Sequence, residues 1–234
     1  MEFLFLDTET TGNDVTKDRL CQVCYKLEGR TQTAYFKPPL PISVKSMSIT
    51  HITNKMVADK ESFAESKFRQ NLEKLLAEHI LVAHNAKFDI AILEAEGLTV
   101  PRSICTLRLA RHLDEQAVIP EYNLQFLRYY LDLEVPGQAH DAEADVLVAE
   151  AIFRRQYEKI KAGGLSDEET AKRMMEISAR PTLFKKFTFG KHLGRTLAEV
   201  ATTDRDYLEW LLKQKLASGE EDEDWIYTLR HYLG

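Results

Sequence analysis

The chain has 234 residues, 44% of them hydrophobic and 29% charged, with a formal net charge of −6. That balance supplies one good α/β core with length left over for a small appendage, since domains commonly run about 100–200 residues, and it excludes large-scale disorder. No apolar run approaches the roughly 20 residues of a membrane helix, and the N-terminus MEFLFLDTETTG lacks the basic and small-residue regions of a signal peptide, so a cytoplasmic location without membrane contact is expected.

Glu2 to Leu6 is an apolar run leading into DTETTG, and reads as a first, central strand ending in polar turn chemistry. Leu20 to Leu27 and Thr31 to Lys37 read as two further strands joined by a turn at Glu28-Gly29-Arg30. Three strands in succession predict an antiparallel meander, which the proline-rich KPPLPI ends. Cys21 and Cys24 form a C-x-x-C inside the second strand, but residues three apart on a strand point to opposite faces. With three cysteines in all and no second pair to complete a metal site, they read as ordinary strand cysteines.

The period then changes. Phe63 to Glu78 carries Phe68, Leu72, Leu75 and Leu76 at helical spacing. HILVAHN is a short buried strand, Asp89 to Glu96 a helix, and TVPRSICTL returns to the sheet before a helix around Leu107 to His112. Asn123 to Leu131 is a helix starting at an Asn cap. Ala142 to about Lys161 is a long helix with Val146, Ala149, Ile152 and Phe153 as its apolar stripe. Antiparallel strands first and βα units afterwards predict an α/β fold, a mixed sheet with helices on its faces.

Gly163 and Gly164 suggest a boundary. The expected division is a domain over 1–162, a linker over 163–181, and a small, mainly helical module over 182–234. The linker holds a polar helix from Asp167 to Ser178, opened by Ser166 and Glu169 in capping-box spacing. The module has a turn from Gly190 to Gly194 and two short helices anchored by Leu197, Val200, Tyr207, Trp210 and Leu211. The acidic run Glu220 to Asp224 reads as a solvated loop. From Arg180 to Arg195 there are basic residues and no acid, so Lys185, Lys186, Lys191 and Arg195 are candidate phosphate contacts. A solvated turn explains the same residues equally well.

Asp7 and Glu9 sit two apart at the end of the first strand, which points both carboxylates to one face. Two acids that close repel unless a cation lies between them, and a divalent ion with oxygen ligands meets that need. An isolated Asp-x-Glu is more often a solvated turn. Asp89 follows a buried strand and a polar turn, His84-Asn85, near the start of a helix. Helix N-termini favour carboxylates, so capping is its simplest structural role. His140 precedes the long helix and Asp145 lies in its opening turns. That arrangement places a group titrating near neutrality on a loop and a carboxylate on a rigid element. Neighbouring Asp141 and Glu143 read as solvated helix-start acids.

Together, and in this order, these segments resemble the DEDDh branch of the DnaQ-like exonucleases, which have an RNase H-like fold. DTETTG matches the first motif of that family, HNAKFD the second, and HDAEAD the third, whose His marks the subtype. SITHIT looks like the substrate-side loop, and ICTLRLAR and YNLQFL like the intervening segments; the resemblance covers Met1 to Tyr157. FGKHLGRTLAEV and YLEWLL resemble the small module that follows the nuclease domain in exonuclease X-like proteins.

The resemblance implies a 3′–5′ exonuclease that uses two Mg²⁺ ions, with Mn²⁺ able to substitute, about 3.5–4 Å apart at the scissile phosphate. Asp7 would bridge both ions, with Glu9, Asp89 and Asp145 completing the ligands and His140 as general base. Thr10 and Thr11 would contact the terminal nucleotide, His51 and Ile52 would pack near its base and sugar, and Asn85 and Phe88 would support the second motif. The module's resemblance favours DNA over RNA as partner, although the 2′-OH is read by local contacts that no motif exposes. The net negative charge speaks against a nucleic-acid partner, but a carboxylate site offset by bound metal accounts for part of it. The oligomeric state is open and admits a homodimer. Two rival readings are weaker: an HD-type phosphohydrolase, suggested by His140-Asp141, would leave Asp7 and Glu9 idle, and a non-catalytic nucleic-acid-binding module would not retain all four acids and the His.

Overall fold

The computed structural model describes residues 2–136, 141–217 and 222–234. Strands β1 (Phe3–Thr10), β2 (Leu20–Leu27) and β3 (Arg30–Tyr35) form the expected antiparallel meander. The β2–β3 turn places both Glu28 (φ 48°) and Gly29 (φ 77°) in the left-handed region, the twist that a two-residue hairpin needs. Helices α1 (Val44–Thr50) and α2 (Asn54–Val57) follow, then α3 (Lys67–Glu78), β4 (Ile80–Ala83), α4 (Ala86–Ala95), β5 (Ser103–Cys105) and α5 (Thr106–Leu113). Next come α6 (Leu124–Tyr130), α7 (Ala142–Lys161) and α8 (Asp167–Ser178). The sheet order is β3-β2-β1-β4-β5, with β1 central, antiparallel to β2 and parallel to β4. None of the described helices is long and apolar enough to cross a membrane.

Strand alternation assigns β1 to two cores. Leu4 and Leu6 face Leu72 and Leu76 of α3 and Ile92 and Leu93 of α4. Phe3 and Phe5 face Val146 and Phe153 of α7, with Phe3 and Phe153 ring centroids 4.7 Å apart. The second core also takes in Ala171, Met174 and Ile177 of α8, and the Cys105 amide donates to Ser178 Oγ at 2.8 Å. The polar helix expected inside a linker is therefore packed on the sheet's second core through one apolar stripe. Cys21 and Cys24 lie in different buried clusters, as opposite strand faces require.

Two segments differ from their sequence reading. The helix expected from Phe63 breaks at Ser66, which donates to the Phe63 carbonyl and caps α3 through the Arg69 amide, leaving a separate short turn over Phe63–Glu65. SITHIT, read as a loop, runs from the last turn of α1 to Thr53, the N-cap of α2, and turns at His51 with φ 59°.

The C-terminal part holds α9 (Leu197–Thr203), α10 (Arg205–Ala217) and α11 (Glu223–Leu233). Its core is Phe187, Leu197, Val200, Leu208, Leu211, Trp225 and Leu229. Trp210, expected as an anchor, is 51% exposed, because Leu208 and Leu211 set the inward stripe of α10 and Trp210 lies off it. Of the acidic run, Glu220 and Glu221 lie outside the described residues, and Asp222 to Asp224 are not a solvated loop. Asp222 caps α11, Glu223 pairs with Arg108 and, at 3.3 Å, with Lys87, and Asp224 pairs with Arg111 at 2.9 Å. Acids in the first turn suit a helix N-terminus, and these also bind the module to α4 and α5.

Candidate active site

The alternation that sends Phe3 and Phe5 toward α7 carries Asp7 and Glu9 to the same face, where Asp145 sits in the first turns of α7. One carboxylate oxygen from each of Asp7, Glu9 and Asp145 lies within 4.8 Å of the other two. Asp145 is buried; its backbone amide bonds the Asp141 carbonyl at 2.9 Å in the helix, and its Oδ1 accepts from Gln125 Nε2 at 2.6 Å.

Asp89 arrives from the opposite side. Pairing of β1 with β4 covers Phe3 to Phe5 and stops there, so the β4-side edge of β1 beyond that point has no strand partner among the described residues. Asp89 of α4 fills the gap: its Oδ1 accepts from the Thr8 amide at 3.1 Å and the Thr8 hydroxyl at 2.8 Å. Asn85, at φ 63°, makes the sharp turn that lets α4 start directly after β4. The site thus lies at the carboxyl end of β1, where the flanking strands run in opposite directions, the usual place for a site in an open α/β sheet.

Electrostatics mark the same spot. Burial first, then Asp89, Glu9, Asp145 and Asp141, push the Asp7 carboxyl well above its ordinary range. Burial, with Asp145 and Asp89 next, raises Glu9 to about 8. Burial raises Asp89 to about 7 against the lowering effect of its Thr8 hydrogen bonds. Such a cluster of hard oxygen donors fits a divalent cation, whose charge would relieve both the repulsion and the desolvation.

A family profile described as Exonuclease matches residues 4–153. The chain belongs to this exonuclease family. A second profile, described as Exodeoxyribonuclease X-like C-terminal, matches residues 187–215. The exonuclease is 32% identical over 200 residues to exodeoxyribonuclease 10 of Escherichia coli K12, covering 84% of this chain and 82% of the relative. It is also 32% identical over 163 residues to the DNA polymerase III subunit epsilon of Treponema pallidum, covering 64% of this chain and 74% of that protein. Among solved structures, exonuclease X in complex with 5′ overhanging duplex DNA aligns at TM-score 0.55 and 25% identity, over 76% of this chain and 99% of that one. Exonuclease I, at TM-score 0.59 and 21% identity over 74% of this chain and 42% of its own, shares the fold. The expected RNase H-like architecture and 3′–5′ exonuclease activity both stand on these matches.

The structure of the exonuclease separates the other expected residues. Thr10 and Thr11 are buried beside the acids. The Thr10 hydroxyl donates to the Gly12 carbonyl and its own carbonyl accepts from Ser46, while the Thr11 hydroxyl donates to Asp18. Thr10 therefore ties the end of β1 to α1, and Thr11 closes the loop that follows on itself. A Cβ at Gly12 would lie 2.4 Å from the Asp18 carboxylate and would push it off its hydrogen bonds to Thr11 and Asp14. His51 is exposed at the end of α1, whereas Ile52 is buried with Cys21, Ile42 and Val57. Asn85 is exposed and Phe88 packs against the α3–α4 core. His84, between the Thr106 hydroxyl and the Tyr122 carbonyl, is a structural residue whose burial lowers it to about 4.

The four basic candidates all have intramolecular partners: Lys185 and Lys186 donate to the carbonyls of Asp114 and Ala117, Lys191 to Asp204, and Arg195 to His192 and Thr203. His140 lies outside the described residues. Thr8 and Gln125 escaped the sequence reading. Thr8 stands between the two motif acids, and Gln125 follows the Asn123 cap by two residues, which fixes it to the first turn of α6.

Proposed function

We propose that this exonuclease removes nucleoside 5′-monophosphates from DNA 3′ ends, using two Mg²⁺ ions held by Asp7, Glu9, Asp89 and Asp145, with His140 as general base. The observation that carries the reading is the convergence of Asp7, Glu9 and Asp145 within 4.8 Å from two elements, β1 and α7, that lie far apart in the sequence. When bound, divalent cations supply positive charge to the oxygens of an in-line displacement at phosphorus. Asp7, whose carboxylate lies among the other acids, would serve both ions. Glu9, Asp145 and Asp89, the last anchored by Thr8, would complete the ligand set. His140 would take the proton of the attacking water.

Residues 1–162, together with α8, form the catalytic unit in this reading, and 182–234 an appended module. DNA as substrate is supported by similarity to an exodeoxyribonuclease along both matched regions. Lys191, whose side chain is 64% exposed, is the best placed of Lys185, Lys186, Lys191 and Arg195 to reach a phosphate as well as its internal partner. Digestion of matched DNA and RNA oligonucleotides, single-stranded and 3′-recessed, in Mg²⁺ tests the substrate. DNA is expected to be shortened at least about tenfold faster, a margin a few 2′-OH contacts can supply; RNA shortened as fast would replace this reading with an exoribonuclease of the same family.

Thr8→Val keeps the shape of the side chain and removes one of the two donors that hold Asp89. A hydrogen bond to a charged group contributes about 1.5–3 kcal/mol, and outer contacts to metal ligands matter by about 10–100-fold. With the Thr8 amide still in place, turnover is expected to fall about 3–10-fold with little change in melting temperature. Unchanged turnover would remove Thr8 from the account.

A further inference from the structure

Resting on the reading of Asp145 as a metal ligand, we propose that Gln125 and Arg128 of α6 form a positioning relay that orients the Asp145 carboxylate. Gln125 Nε2 donates to Asp145 Oδ1 at 2.6 Å. The arginine donates Nη1 to Gln125 Oε1 at 3.4 Å and Nη2 to the Val135 carbonyl. The Val135 contact anchors the guanidinium that in turn holds the Gln125 amide.

The residue types suit the task. A carboxylate that must present oxygens to a cation needs its rotation fixed, but a Lys or Arg against it would compete with that cation for its charge. A neutral amide fixes the rotation and leaves the charge available. An amide can turn either end toward its partner; the Arg128 guanidinium, which only donates, claims the oxygen and leaves the N–H for Asp145. Arg128 is itself held, its guanidinium 5.5 Å from the Tyr129 ring centroid. Helix geometry sets the pair, because residues three apart lie on one face of α6. The Asn123 cap, whose side chain accepts from the Phe126 amide, fixes where that helix starts.

The test uses the full chain, with Mn²⁺ alone as the calorimetric probe and an oligonucleotide for steady-state kinetics. Gln125→Met keeps length and helix propensity and removes the donor. It is expected to weaken Mn²⁺ binding about tenfold and lower kcat about tenfold, with KM for the oligonucleotide within about twofold and the melting temperature nearly unchanged. Arg128→Met, which leaves Gln125 in place, should shift both quantities the same way by a smaller factor, and the double variant should bind Mn²⁺ no more weakly than Gln125→Met, since Arg128 acts on the metal site through Gln125. Wild-type Mn²⁺ affinity and kcat in Gln125→Met, alongside their loss in Asp145→Asn, would overturn the relay and leave the proposed function standing. Wild-type Mn²⁺ affinity in Asp145→Asn would overturn the ligand reading beneath it.

Discussion

Asp7→Asn is expected to lower exonuclease turnover in Mg²⁺ by about 10³-fold or more, while the metal-free protein keeps or gains thermal stability. A cation at a phosphoryl centre supplies several kcal/mol of charge stabilisation in the transition state, and each 1.36 kcal/mol is a factor of about ten in rate. Asp7 faces Glu9, Asp89 and Asp145 together, so no neighbour can take over its place. The stability sign runs the other way. In the metal-free protein Asp7 is half-buried among like charges, and replacing it by a neutral side chain of the same shape removes repulsion. Oligonucleotide digestion gives the first quantity and thermal melts in EDTA the second. A variant inactive because it is unfolded would show a melting temperature well below wild type, and would not support the account.

The second large effect is on stability as a function of pH. Glu9 is raised to about 8, Asp89 to about 7, and Asp7 well above its ordinary value, whereas in the unfolded chain such groups titrate near 4. Between those limits the folded, metal-free protein binds more protons than the unfolded chain. Its stability therefore falls as pH rises from about 4 through about 8. Divalent metal favours the ionised carboxylates and opposes that loss. The melting temperature in EDTA is expected to drop by roughly 5 °C or more between pH 5 and pH 8, given a few kcal/mol and a chain of this size. Added Mg²⁺ should recover most of the drop at pH 8 and little at pH 5. A metal-free melting temperature that rises toward pH 8 would show that the carboxylates are not held in a desolvated, repelling cluster.

How much of this was legible in the sequence depended on whether the signal was local. The alternation in FLFLDTE fixed both the central strand and the shared face of Asp7 and Glu9, because side-chain parity in a strand is strict. The Asn123 and Ser166 caps were readable for the same reason: the partner amide lies three residues away. Asp89 was legible as a site acid, from the polar residues that end β4 beside its helix, but what holds it was not: its partner is Thr8, 81 residues away, and only the early end of β4 makes room for it. The acidic run failed in the same manner. Glu223 and Asp224 look solvated until α5 brings Arg108 and Arg111 to them. Trp210 and Trp225 could not be ranked from composition, since their burial depends on which stripe of each helix faces Phe187.

Digestion of a 5′-labelled single-stranded DNA oligonucleotide in Mg²⁺, with the released nucleotides identified, tests the central claim most directly. Wild type should give a ladder shortened stepwise from the 3′ end together with nucleoside 5′-monophosphates, and both should vanish in EDTA and in the Asp7→Asn protein. Internal cleavage, release from the 5′ end, or hydrolysis that survives both EDTA and Asp7→Asn would contradict it.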